Sequence, residues 1–143
     1  MAALNKRGLK ASMTKPVLLS IIEMGGYPNF TPLYERAGFE VVVESRMRKA
    51  LSTIKRLKPR VIVAEFNFQS DFRDRTSSLE SMLSVVERLP DTRVIVFYDR
   101  EYQQQFDRLL AVRCFYRTFT FPIPEQELMD AVQALADQPG GFQ

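Results

Sequence analysis

The sequence predicts an α/β domain in three layers, with five parallel strands in one central sheet and helices covering both of its faces. Two observations predict it. Between residues 16 and 136, short runs of β-branched and aromatic residues alternate with stretches of helical period. Runs such as Val61-Ile62-Val63-Ala64 are apolar at every position, as in strands buried on both faces. The chain length of 143 residues and hydrophobic content of 45% suit one domain with one sizeable core.

The first strand is expected at residues 16–22, where Pro-Val-Leu-Leu-Ser-Ile-Ile runs with little interruption. The others are expected at residues 39–43, 60–64, 93–98 and 115–121. Thr31-Pro32 reads as a cap followed by proline at the first helical position, starting a short helix that ends before Gly38. In the second helix Ala50, Leu51, Ile54 and Leu57 recur at helical spacing, and Lys58-Pro59 stops it. Ser77-Ser78-Leu79-Glu80 has the pattern of a capping box ahead of Met82, Leu83, Val85 and Val86. Residues 101–112 and 125–136 supply the last two helices, with Phe106, Leu109, Leu110 and then Leu128, Val132, Leu135 as inner faces. The domain is expected to span residues 16–137, between a basic, flexible tail at 1–15 and a frayed one at 138–143. Met13 is an alternative translation start to Met1.

Composition narrows the chemistry. No apolar run is long enough to cross a bilayer, and the first 15 residues lack the apolar segment of a secretory signal, so the cytoplasm is the expected location. A single cysteine, Cys114, cannot form an internal disulfide and is expected to be an inert core thiol. With no histidine in the chain, a zinc site of the usual Cys/His kind and a histidine-activated nucleophile are both excluded. The net charge of +3 comes from the tail: Lys6, Arg7, Lys10 and Lys15, taken from 20 basic residues, leave 16 against 17 acidic ones.

In such a sheet, ligands sit beyond the carboxyl ends of the strands, where strand order reverses. Residues 21–26, 65–68, 98–100 and 119–123 would line that rim. Gly38-Phe39-Glu40-Val41 enters the second strand, Lys58-Pro59-Arg60-Val61-Ile62-Val63 enters the third, and Pro122 with Glu125-Gln126-Glu127-Leu128 leads into the last helix. With these stretches in this order, most of residues 16–136 resembles the receiver domain of two-component response regulators. The resemblance implies a flavodoxin-like sheet of strand order 2-1-3-4-5.

It also implies what is missing. A working receiver holds Mg²⁺ with carboxylates at the ends of strands one and three, and one of these accepts the phosphoryl group. Aligned on the family's first strand, Ile21 and Ile22 stand where the acidic pair belongs, with only Glu23 beside them. The acceptor position holds Glu65, one methylene longer than aspartate. The hydroxyl after strand four corresponds to Tyr98, and the lysine before the conserved-type proline, here Pro122, corresponds to Phe121. The chain thus resembles a degenerate receiver in which Glu65 either imitates the phosphorylated acceptor or serves as a hydrogen-bonded strand-end acid. No metal, cofactor or enzymatic activity is expected.

Two surfaces compete as partner sites. Tyr27 in the loop after strand one, and Phe68, Phe72, Arg73 and Arg75 in the long loop after Glu65, combine aromatic and arginine side chains as protein interfaces do. Arg48, Lys49, Lys55 and Arg56 lie in residues 45–60, which contain no acid; this run reads either as a solvated helix face or as a contact for an acidic protein or a nucleic-acid backbone. Gly25-Gly26 reads as a tight turn rather than a phosphate cradle. Asp71, Asp74, Asp99 and Glu101 match no metal cage. Phe115, Tyr116, Phe119 and Phe121 read mainly as core. The leading expectation is a signalling or scaffolding module that binds a protein partner, with a homodimer through the fourth and fifth elements implied by the resemblance. A nucleic-acid-associated regulator and a flavodoxin-like small-molecule binder are the alternatives.

Overall fold

The structure, a computed structural model, describes residues 15–23, 27–66 and 78–138. Five strands, β1 (Val17–Ile21), β2 (Glu40–Glu44), β3 (Val61–Glu65), β4 (Arg93–Tyr98) and β5 (Arg117–Thr120), form one parallel sheet in the order β2-β1-β3-β4-β5. Between and after them come α1 (Thr31–Arg36), α2 (Met47–Leu57), α3 (Ser78–Val86), α4 (Gln103–Leu110) and α5 (Glu125–Ala136). The class, the number of strands and the implied order all hold.

Successive residues of a strand point to opposite faces, and here both faces are covered. Leu18, Val61, Val63, Ile95, Phe97 and Phe119 face α1 and α5, packing with Leu33, Tyr34, Leu128 and Val132. Leu19, Ile62, Ala64, Val94, Val96 and Tyr98 face α2, α3 and α4, packing with Ile54, Met82 and Phe106. This two-sided burial is why the central strands read as continuous apolar runs.

Several expected boundaries move, each for a local reason. Strand β2 begins at Glu40, because Phe39 turns into the core beside α1. Thr31 does not cap the first helix: the Asn29 carboxamide oxygen accepts from the Thr31 backbone N–H at 3.0 Å and from its hydroxyl at 2.7 Å, while Pro32 occupies the first turn. At the end of α2, Lys58 adopts a left-handed conformation (φ 47°) and its N–H bonds back to the Ile54 carbonyl. Helix α4 is shorter than residues 101–112. A 3₁₀ turn, Arg100–Tyr102, precedes it, with the Asp99 carboxylate accepting from the Glu101 N–H at 2.8 Å. Strand β5 spans only Arg117–Thr120. Ser77 of the expected capping box lies outside the described residues.

The short β5 leaves its flanks uncovered, and three core expectations are corrected. Cys114 is exposed, Tyr116 is exposed, and Phe121 is 49% exposed. Phe115 is half-buried against Phe106 and Phe119 is buried, as expected. Arg60, one of the cations of the basic run, is structural. Its guanidinium donates to the Leu135, Ala136 and Gln138 carbonyls at 3.0–3.3 Å, satisfying the C-terminus of α5 with a cation at the negative end of its dipole.

Candidate functional site

The carboxyl ends of β1, β3 and β4 meet where strand order reverses between β1 and β3. Parallel registry sets Ser20 beside Val63 and Glu65 beside Phe97. The cleft they form is lined by Ile21, Ile22, Tyr27, Pro28, Glu65 and Phe97, among others, and encloses about 10 Å³. That is barely enough for one water molecule.

Aromatic rings account for the small volume. Tyr27 leans over the strand ends, its ring 5.5 Å from that of Phe97 and 6.2 Å from that of Phe121. Phe97 is held from below by Phe30 at 5.9 Å and Phe119 at 6.4 Å, both in edge-to-face geometry. Tyr27, expected on the partner surface of the rim, is half-buried and roofs the cleft. Burial pushes its phenol up to about 12, and the negative charges of Asp99 and Glu65 push in the same direction. The phenol therefore stays neutral at physiological pH and adds no charge to the rim.

Ile21 is fully packed and Ile22 half-buried, so the first strand presents branched aliphatic carbons to the cleft. Glu65 lies at the end of β3 with only 4% of its surface exposed. Glu23 is half-buried beside the rim. Tyr98 does not enter the cleft. It belongs to the opposite face, stacked on Phe106 at 4.2 Å, with its hydroxyl donating to Gln103 Oε1 at 3.1 Å. The expected pocket position at Tyr98 is thereby corrected: the strand's alternation turns Phe97, not Tyr98, toward Tyr27. Phe121 stands at the outer edge, joined to Pro122 by a cis peptide bond, and meets the site through Tyr27.

The end of the first strand offers no carboxylate at Ile21 or Ile22, and those nearest it are Glu23 and Glu65. A hard divalent cation takes oxygen ligands, and the two isoleucines supply none. Among the described residues, no group of three or more acidic, cysteine or histidine side chains could hold a metal. Asp99 and Glu101 are exposed residues of the capped 3₁₀ turn. Phe68, Phe72, Arg73, Arg75, Asp71 and Asp74 lie outside the described residues, as do Gly25 and Gly26. Phe66, at the start of the same loop, finishes the strand: its N–H bonds to the Phe97 carbonyl at 2.8 Å and its ring packs on Phe106. Arg48, Lys49, Lys55 and Arg56 are all exposed on α2.

Sequence reasoning missed the part played by Phe97 and Phe30 beneath Tyr27. The available signal was the alternation of β4, in which Ile95 and Phe97 share one face.

No protein-family model matches the chain, and no curated protein matches it. Solved structures do match in fold. A response regulator receiver domain protein from Clostridium thermocellum superposes with a TM-score of 0.67 at 16% identity, over 85% of this chain and 94% of that one. The N-terminal signal receiver domain of a two-component response regulator from Bacteroides fragilis gives 0.64 at 19% identity, over 86% and 98%. A response regulator protein from Burkholderia multivorans gives 0.65 at 17% identity, over 89% and 99%. The chain has the flavodoxin-like receiver fold.

Proposed function

We propose that this domain of receiver fold is a phosphorylation-independent signalling or scaffolding module, non-catalytic and cytoplasmic, which acts by binding a protein partner at the rim around its strand ends. The observation that carries this reading is the content of the cleft. Where a cation and a phosphoryl group would have to sit, Ile21 and Ile22 offer carbon and Tyr27 closes the space down to about 10 Å³. Of the five positions that resemblance assigns to phosphoryl chemistry, three hold Ile21, Ile22 and Phe121, another, Tyr98, faces α4, and the acceptor position holds Glu65.

Glu65 supports the same reading. It brings a carboxylate to the acceptor position on a side chain one methylene longer than aspartate, buried at the end of β3. In this proposal the rim holds one signalling state permanently, and the partner reads its shape. Tyr27 and the half-exposed Phe121 provide aromatic surface of the kind that anchors protein interfaces.

The test is incubation with acetyl phosphate and Mg²⁺ followed by intact-mass measurement. No phosphoryl adduct is expected on the wild-type chain, nor on an Ile21→Asp/Ile22→Asp/Glu65→Asp variant that keeps Tyr98 and Phe121. An acid-labile phosphoryl adduct on the wild-type protein would overturn the proposal. Affinity capture from host lysate, with and without nuclease, then tests the mode of action. Protein partners that survive nuclease and are lost in Phe121→Ala support rim binding.

A further inference from the structure

The outward face of α2 carries a charge arrangement that the fold does not require. Met47, Ala50, Thr53 and Ile54 turn inward, whereas Arg48, Lys49, Ser52, Lys55 and Arg56 are all exposed. At 3.6 residues per turn these five fall within about 120° of the helix circumference, with Ser52 in the middle. The cations form two pairs, Arg48 with Lys55 and Lys49 with Arg56, each separated by about 10.5 Å along the axis. Four positive charges thus frame one hydroxyl.

Among the described residues, no acid forms an ion pair with them. Residues 45–60 contain no acid, and the ion pairs between described residues, Arg113 with Glu87 and Arg117 with Glu127, involve none of the four. Glu44, the acid nearest in sequence, accepts a hydrogen bond at 2.7 Å from Thr53 on the buried side of the helix. Arg48 and Lys49 also lie in the first turn, where no acid balances the positive end of the helix dipole. An anion brought to this face would relieve both the mutual repulsion and the adverse dipole. Arg60 shows the contrast, since its charge is engaged by the end of α5.

The chemistry of the face selects its partner. A protein interface has an apolar centre and is depleted in lysine, but none of the five exposed positions here is apolar. Nor does the face present an aromatic ring on which single-stranded bases could stack. Lysine and arginine neutralising phosphates, with a serine hydroxyl donating to a phosphate oxygen, is how proteins contact a duplex backbone. We propose that the outer face of α2 docks double-stranded nucleic acid through its phosphate backbone, without reading sequence, using Arg48, Lys49, Lys55 and Arg56 around Ser52. The proposal stands independently of the rim.

The test is fluorescence anisotropy of a labelled 20-base-pair DNA duplex of arbitrary sequence, titrated with the full chain between 50 and 200 mM KCl. Four phosphate contacts predict a slope of log K against log salt near −3.6, which is a loss of affinity of about a hundredfold over that range. Lys49→Gln/Arg56→Gln should halve the slope and cut the loss to about tenfold, and Ser52→Asp should weaken binding at every salt concentration. A control, Lys6→Gln/Arg7→Gln/Lys10→Gln, should leave the slope due to α2 in place. Circular dichroism confirms that each variant is folded. Absence of binding at 50 mM KCl, or binding lost in the tail control and kept in the α2 variants, would overturn the proposal. So would a poly-glutamate peptide that binds α2 where the duplex does not, which would assign the face to an acidic protein.

Discussion

Phe106 shows how much one residue can carry. Its ring is fully buried, stacked on Tyr98 at 4.2 Å and on Phe115 at 5.9 Å, and it meets Phe66 at 5.1 Å. It therefore ties α4 to the ends of β3 and β4. Phe106→Ala is expected to lower unfolding stability by about 3–5 kcal/mol, read from the urea midpoint, because the lost transfer energy is joined by the cost of the cavity left behind. Its helical spacing with Leu109 made it legible in the sequence. Cys114, Tyr116 and Phe121 were not legible in the same way. Their spacing fits a strand, but periodicity states only which residues share a face, not whether another layer covers it. The ladder of β5 ends at Thr120, so Phe121 projects past the sheet.

At the scale of elements, turns and caps decide how the layers join. Gly38 links α1 to β2 at φ 109°, a conformation that side chains with a Cβ rarely adopt. A Cβ there would lie 3.8 Å from the Ala136 Cβ, an ordinary contact, so there is room for it. Gly38→Ala is accordingly expected to cost about 1–3 kcal/mol through backbone strain alone, measured by denaturant unfolding with a native-like circular dichroism spectrum retained. The glycine itself marked the helix end in the sequence. That Phe30 stands at the N-cap of α1, while Asn29 Oδ1 accepts from the Thr31 N–H, was not readable, because both Asn and Thr cap helices and only the chain path decides which oxygen reaches that N–H. Arg48, Lys49, Lys55 and Arg56 of the basic run are exposed on α2. The run's division into six exposed cations, four of them on α2, and an Arg60 bound to α5 depends on a contact spanning more than seventy residues.

For the molecule as a whole, two tyrosines couple the closed rim to global stability. Burial raises the phenol of Tyr34 above its ordinary value, and Tyr27 is raised to about 12 by burial together with Asp99 and Glu65. In the unfolded chain both titrate near 10. The folded state therefore holds these protons more tightly, and the resulting stability is complete below pH 10 and lost as pH rises toward 12. Unfolding midpoints are expected to fall across that window, and to fall less steeply in Tyr27→Phe. An identical alkaline loss in wild type and variant would show that the roof over the cleft is not the origin.

The sequence by itself determined the number of strands, their parallel, two-sided burial and the absence of a carboxylate pair at Ile21 and Ile22, because these follow from local periodicity and side-chain chemistry. Only the tertiary structure decided that Tyr27 roofs the cleft, that Tyr98 turns away from it and that Arg60 leaves the basic surface. Those outcomes depend on which distant residues share a space, and short-range pattern contains no measure of that.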